Sequence, residues 1–328
     1  MPEKIEISHR TIIFTVLFLI FLWFLFQIRQ ILIALFVSVV LMAALNPLVD
    51  RLERFKFPRV FAILFIYFFI FAVFGVILAG VIPPLIDQTA TLISNLPRYA
   101  QILRLPEIDQ DVITAQISQL GSLPANIVKI TVSVFSNLIA IFALMVITFY
   151  LLLERKNLDR YLLVLFGPGR EKQAEKFVDE VERKLGGWVR AQVILMMIVG
   201  IVTYLGLRLL GIDFALPLAL LAGVLEIVPN IGPILSTVPA FLSGLAISPM
   251  MGLAVLALYF LIQQVGNAFI VPQVMMKEVG VNPLVTIISL VIGFKLAGIV
   301  GAVLAIPVVL LIQITASEVF ASKRFQEL

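Results

Sequence analysis

Long apolar runs, each ended by a short polar or proline-glycine interruption, fill almost the whole chain. A membrane-crossing helix needs about 20 mostly apolar residues. By that measure the pattern predicts spans over about 11–28, 31–49, 59–82, 127–153, 188–210 and 250–271. A polar turn around Arg29 separates the first two, so a hairpin is expected there, and the third is expected to stop at Pro83-Pro84. Two further apolar stretches are split. Arms over about 214–228 and 234–247 flank a proline break, and arms over about 283–293 and 299–316 flank a second break at 293–298. Arms of about 11–18 residues rise about 17–27 Å, less than a hydrocarbon core of about 30 Å. Re-entrant hairpins fit them better than full spans, although full spans would leave the C-terminus on the same side. The expected fold class is an all-α polytopic membrane protein of about 8 transmembrane segments. The two broken hairpins form a candidate inverted repeat in its C-terminal half.

Composition agrees. The chain of 328 residues is 61% hydrophobic and 13% charged, with mean hydropathy +1.11. Soluble domains sit near about 45–50% apolar and about 25% charged, so a large soluble core is excluded. Cysteine is absent, and the single histidine, His9, precedes the first span. This removes disulfides, thiolate metal sites, histidine metal clusters and histidine-based triads. No metal site, cofactor or enzymatic activity is expected. The opening residues mimic a secretion signal, with Lys4 and Arg10 before an apolar run, but no small-residue cleavage site follows, so an uncleaved span is expected.

Basic residues in short loops mark the cytoplasmic side. Arg51, Arg54, Lys56 and Arg59 crowd the 50–59 segment, and Arg155, Lys156, Arg160, Arg170, Lys172, Lys176, Arg183 and Lys184 crowd 155–187. The 84–126 segment holds only Arg98 and Arg104. The expectation is an inner (plasma) membrane protein with both termini cytoplasmic, the C-terminus carrying Lys323 and Arg324. The net charge of +4 reads as these loops, not as a nucleic-acid surface. Four regions follow: 1–83, a scaffold of three spans; 84–126, an extracytoplasmic segment of short helices; 127–187, a fourth span and a cytoplasmic amphipathic helix; and 188–328, a transport domain of two span-plus-hairpin units. In the amphipathic helix, 170–185, the pairs Lys176–Glu180 and Asp179–Arg183 are spaced for i,i+4 ion pairs. It could be a solvated connector or could lie on lipid headgroups.

Broken helices beside polar residues at membrane depth point to a transporter's binding site. The first break contains Glu226, Pro229, Asn230 and Gly232. Ionisable residues at that depth are costly and usually functional. Glu226 reads as a proton or cation site, as a hydrogen-bond partner for a polyol, or as one half of a gate with Lys295 in the second break. Gln263 and Asn267 share a face of the 250–271 span, with Gln264 beside them. Interhelical bonding and solute binding both suit them. Asn230 and Asn282 sit at proline-adjacent turns, where they could present carbonyls to a cation or satisfy freed backbone. Asn46 and Pro47 are expected to end or kink the second helix. No P-loop motif is present.

These same motifs carry a resemblance. Leu45-Asn46-Pro47-Leu48-Val49-Asp50-Arg51-Leu52, then Glu226-Ile227-Val228-Pro229-Asn230-Ile231-Gly232-Pro233 with Pro239, resemble the autoinducer-2 exporter family of permeases. So do Gln264-Val265-Gly266-Asn267 through Pro272, Asn282-Pro283-Leu284, Gly298-Ile299-Val300-Gly301 and Ile306-Pro307. The match runs in order along essentially the whole chain. The resemblance implies a bacterial or archaeal inner-membrane permease. Some members are associated with export of a small furanone-type signalling molecule, others with sodium–proton exchange.

The expected function is a secondary-type permease exporting a small polar solute by alternating access of the C-terminal hairpin domain. The alternatives are a sodium–proton antiporter using Glu226 and a non-transporting membrane scaffold or receptor. The expected partners are a small polar solute, H+ or Na+, membrane lipid and further copies of the chain in a homo-oligomer, with no nucleic acid.

Overall fold

The computed structural model describes residues 9–102, 137–229, 231–275, 280 and 282–321. In chain order the helices are α1 (His9–Gln27), α2 (Arg29–Arg54), α3 (Arg59–Ile102), α4 (Leu138–Glu154), α5 (Leu158–Phe166) and α6 (Glu171–Leu209). They continue as α7 (Ala215–Leu225), α8 (Ile231–Ile247), α9 (Pro249–Val265), α10 (Val271–Met275) and α11 (Pro283–Ala321). A 3-10 turn, Arg155–Asn157, joins α4 to α5, and a π-helical turn, Gly266–Ile270, joins α9 to α10. Among the described residues there is no strand, and 6 helical stretches are long and apolar enough to cross a membrane. The protein is an all-α polytopic membrane protein. Lipid offers the backbone no hydrogen bonds, so apolar runs satisfy themselves as helices.

Several expected boundaries move. The hairpin around Arg29 is absent. Ile28 N–H donates to the Phe24 carbonyl, and Leu32 N–H donates to the Ile28 carbonyl, each at 3.0 Å. The chain therefore keeps helical hydrogen bonds on both sides of a single non-helical residue, Ile28 (φ −92°, ψ 9°), and does not reverse there. Pro47 lies inside α2, which continues to Arg54. Pro83-Pro84 does not stop α3, whose 44 residues rise about 66 Å, far more than one bilayer crossing. Proline's fixed φ is itself helical, and what it removes is a hydrogen bond. Of the expected short outer helices, residues 84–102 are a continuation of α3, and 103–126 lie outside the described residues. The start of the fourth span, 127–136, also lies outside them. The amphipathic stretch 170–185 and the 188–210 span are one unbroken helix, α6. Its expected Asp179–Arg183 pair is replaced by Asp179 bonding Arg155, while Arg183 meets Glu180 at 3.8 Å.

Both helix breaks are present, and both are hairpins. In α11, Ala297 (φ −142°) and Gly298 (φ +59°) leave helical geometry. A Cβ added to Gly293 would collide with the Gly301 carbonyl, and one on Gly301 with the Gly293 carbonyl. Residues eight apart in a straight helix lie about 12 Å apart. The chain therefore doubles back, and the arms cross at this glycine pair, as small residues allow. In the other hairpin, α7 and α8 pack with α6 and α9 in a core of Leu207, Ile212, Ala215, Leu218, Ala240 and Val255.

The bases of the two hairpins lie at opposite ends of α6. Gln173, near the start of α6, donates to Glu318 at the end of α11 at 2.8 Å. The base of the α11 hairpin is thus at the Glu171 end of α6. The base of the α7–α8 hairpin, at 211–214 and 247–249, is at the Leu209 end. Val228, in the α7–α8 break, packs against Leu290, Ala302 and Ala305, so the tip of one hairpin meets both arms of the other. Helix α2 closes the assembly: Val40 and Ala43 pack with Leu185, Trp188, Ile306 and Leu310. A separate core of Met42, Val49, Ala62, Ile63, Ile66 and Leu152 joins α2, α3 and α4.

Candidate functional site

Helix α7 ends at Leu225, and the chain turns through Glu226 to Pro229 before α8 begins. Gln192 Nε2, in the middle of α6, donates to the Glu226 main-chain carbonyl at 2.6 Å, and both groups are buried. Lipid cannot satisfy the carbonyls freed by a helix break, so a neighbouring helix must. The Gly232 amide donates to the Val228 carbonyl at 2.9 Å. A Cβ on Gly232 would overlap the Leu225 carbonyl, so no larger residue fits this turn. Pro229 is partly buried within it, and its carbonyl accepts from the Ile231 amide at 2.8 Å.

The Glu226 side chain is 7% exposed and borders a narrow cleft between α6, α7, α8 and α9. Thr203, Ser236 and Tyr259 line the same cleft, and Gln263 and Asn267 line its more open end. Glu226 Oε2, Thr203 Oγ1 and the Tyr259 hydroxyl are buried with no hydrogen-bond partner among the described residues. Ser236 Oγ donates to the Pro233 carbonyl at 3.0 Å. Gln263 Nε2 faces Asn267 Oδ1 at 3.4 Å, a long contact that leaves both amides available. Asn267 lies in the π-helical turn, a distortion frequent at functional sites.

The other expected residues are scattered. Gln264 is exposed and does not line the cleft. Asn282 starts α11: its Oδ1 accepts from the Leu284 amide at 2.9 Å, and its carbonyl accepts from the Thr286 amide at 3.0 Å. Lys295 is exposed, and it makes no ion pair with Glu226. The expected Glu226–Lys295 gate is therefore not formed. Asn230 lies outside the described residues.

Gln192, Thr203, Ser236 and Tyr259 escaped the pattern reading. One signal was present: Tyr259, Gln263 and Asn267 repeat every four residues along one helix face.

A second polar assembly sits where α2, α3, α4 and α6 meet. Arg59 donates to Asp50 and Glu53, each at 2.8 Å, to the Leu152 carbonyl at 2.8 Å and to Asn46 Oδ1 at 2.6 Å. Asn46 Nδ2 donates in turn to Glu182 Oε1 at 2.7 Å. Arg155 bonds Glu182 and Asp179, and Lys156 bonds Glu53 at 2.9 Å. The two basic segments assigned to one side by charge are thus tied to each other at one face of the molecule.

Sequence comparison adds an independent finding. The family described as AI-2E family transporter matches residues 12–321. The chain is 26% identical over 291 residues to "Putative transport protein YrrI" of Bacillus subtilis (strain 168), covering 84% of this chain and 82% of that protein. It is 27% identical over 301 residues to "AI-2 transport protein TqsA" of Escherichia coli (strain K12), covering 87% of this chain and 84% of that protein.

Proposed function

The chain belongs to the AI-2E transporter family, and from that premise we propose that it is a secondary-type permease that exports a small polar solute. The observation that carries this reading is the cleft beside the α7–α8 break. Its open end presents the Gln263 and Asn267 amides, its closed end the Glu226 carboxyl and three hydroxyls. The amides and hydroxyls of the cleft suit a neutral polar solute of the furanone or polyol class, and the relative TqsA is named as an AI-2 transport protein. Opposed broken hairpins meeting inside the bundle suit alternating access, in which the hairpin domain moves against α2–α4. In this reading the protein is a multi-pass protein of the inner membrane, with its basic face and C-terminus in the cytoplasm. The exposed apolar faces of α1 and α3 serve as subunit contacts of a homo-oligomer.

Flux of radiolabelled AI-2 from proteoliposomes tests the reading. Gln263→Ala and Asn267→Ala are expected to lower it about 10-fold or more, because a polar group of the bound solute then loses its hydrogen-bond partner. Wild-type flux equal to that of protein-free vesicles removes the proposal. A sodium–proton antiporter using Glu226 is the second reading, favoured by the burial of that carboxyl at the break. Sodium-triggered proton movement in the same vesicles, lost in Glu226→Gln, is its test.

A further inference from the structure

The two span-plus-hairpin units share one spacing. In the first, Gln192 on α6 lies 34 residues before Glu226, the residue that follows the last turn of α7, and donates to its carbonyl. In the second, Gln263 on α9 lies 34 residues before Ala297, the first non-helical residue of α11. Gly211 (φ +72°) lies between the members of the first pair, and Gly280 (φ +60°) lies midway between those of the second. Each glutamine also follows, by four residues, an aromatic side chain whose buried polar atom has no partner among the described residues. These are Trp188 Nε1 on α6 and the Tyr259 hydroxyl on α9.

The two units differ in conformation. In the first, span and hairpin pack together: Leu207 of α6 shares a core with Leu218 and Ala222 of α7. In the second they do not. Val255 and Tyr259 of α9 belong to that same first core, while Leu290, Ala302 and Ala305 of α11 pack against Val228. The Gln263 amide faces Asn267 Oδ1 at 3.4 Å, and Phe294, Lys295 and Leu296 beside the α11 break are exposed. A helix break at membrane depth needs a donor from the protein, because lipid supplies none. One break therefore has its glutamine in place, and the counterpart glutamine stands away from the other break.

We propose that Gln192 and Gln263 are alternating clasps: in the conformation opposite to this one, the Gln263 amide donates to the main-chain carbonyl of Ala297, and Gln192 releases that of Glu226. In an inverted repeat each unit takes the other's conformation as the site changes sides, so only one clasp is closed at a time. The inference rests on the alternating-access reading of the hairpin domain. It gives Gln263 two tasks in succession. Its amide faces the cleft in this conformation and is withdrawn to the α11 break in the other, which leaves Asn267 alone at the open end. Closing the second clasp thus weakens the hold on a solute.

Amide exchange of the purified full chain reads both breaks at once. Gln192→Leu removes the first clasp, and the loss of one hydrogen bond moves a two-state equilibrium about 5-fold. Exchange over Ile227–Gly232 should then rise, and exchange over Ala297–Gly301 should slow as the second clasp closes. Gln263→Leu should do the reverse, and the variant carrying both changes should exchange fast at both breaks. A merely local role for Gln192 would speed its own break and leave Ala297–Gly301 unchanged, and that result overturns the proposal. Where a leucine variant fails to fold, the pair Gln263→Cys and Ala297→Cys decides in the otherwise cysteine-free chain. A short thiol crosslinker should join the two positions in proteoliposomes, and failure to join them overturns the proposal. AI-2 flux is measured separately. Flux without reciprocal exchange removes the clasps alone, and reciprocal exchange without flux removes the solute reading alone.

Discussion

Asn46 and Glu182, 136 residues apart, are joined by a 2.7 Å hydrogen bond, and the other end of the same amide accepts from Arg59 at 2.6 Å. One buried side chain on α2 thereby bridges a cation on α3 and a carboxylate on α6. Replacing it leaves Arg59 and Glu182 each one hydrogen-bond partner short. Asn46→Ala is expected to cost about 1–3 kcal/mol, because it removes two hydrogen bonds to charged groups that are mostly shielded from water. Lys156→Ala breaks only the exposed link to Glu53 and should cost about 0–1 kcal/mol. Thermal melting of both variants in one detergent checks the order, and equal losses would contradict it.

Gln192 is expected to hold the break through the Glu226 carbonyl. Gln192→Leu keeps the packing volume and removes the donor. Amide exchange across Ile227–Gly232 should then accelerate, while exchange at Leu207 and Ile212 stays slow. Unchanged exchange in the break would mean that α7 and α8 hold it without this bond.

The glycine crossing of the α11 arms gives a sharper contrast. Gly293→Ala and Gly301→Ala each place a Cβ against the backbone of the opposing arm, and backbone cannot step aside. Each is expected to destabilise by about 1–3 kcal/mol, as overpacking does. Gly75→Ala, on α3 with nothing within 4 Å of its added Cβ, is expected to be neutral or to stabilise by up to about 1 kcal/mol. Melting temperatures of the three variants decide.

Opposed hairpins predict a labelling pattern. Single cysteines at the exposed positions Lys176 and Met250 should react with an impermeant reagent from opposite sides. A cysteine at Glu318, which accepts from Gln173, should react from the Lys176 side. The cysteine-free chain provides the background. Lys176 and Met250 reacting from one side would contradict the opposed entry of the hairpins.

Relative motion is testable at the contact of α2 with α11. A cysteine pair across Val40 or Ala43 and Ile306 or Leu310 spans the proposed fixed and moving parts. Oxidation is expected to abolish flux, and reduction to restore it. Full flux in the crosslinked protein would leave only a local gate within the hairpins.

Apolar run length determined the class of this protein, because in lipid only a helix satisfies every backbone group. The two breaks were equally legible, since proline and glycine act on their own backbone wherever the chain lies. Glu226, Gln263 and Asn267 stood out because polar groups are rare in such runs. Boundaries without a local cause were misread. The polar residues at Arg29 contain no proline or glycine, and they interrupt the helix at Ile28 alone without reversing the chain. Pro83-Pro84 costs hydrogen bonds but keeps a helical φ, so α3 continued. What the tertiary structure alone decided was which polar groups meet. Gln192 reaches a carbonyl 34 residues away, and Asn46 a carboxylate 136 residues away. Thr203 and Tyr259 look like ordinary members of apolar spans until α6 and α9 place both in the cleft that Glu226 borders. Periodicity says which face of a helix is polar. Only packing says what that face is turned toward.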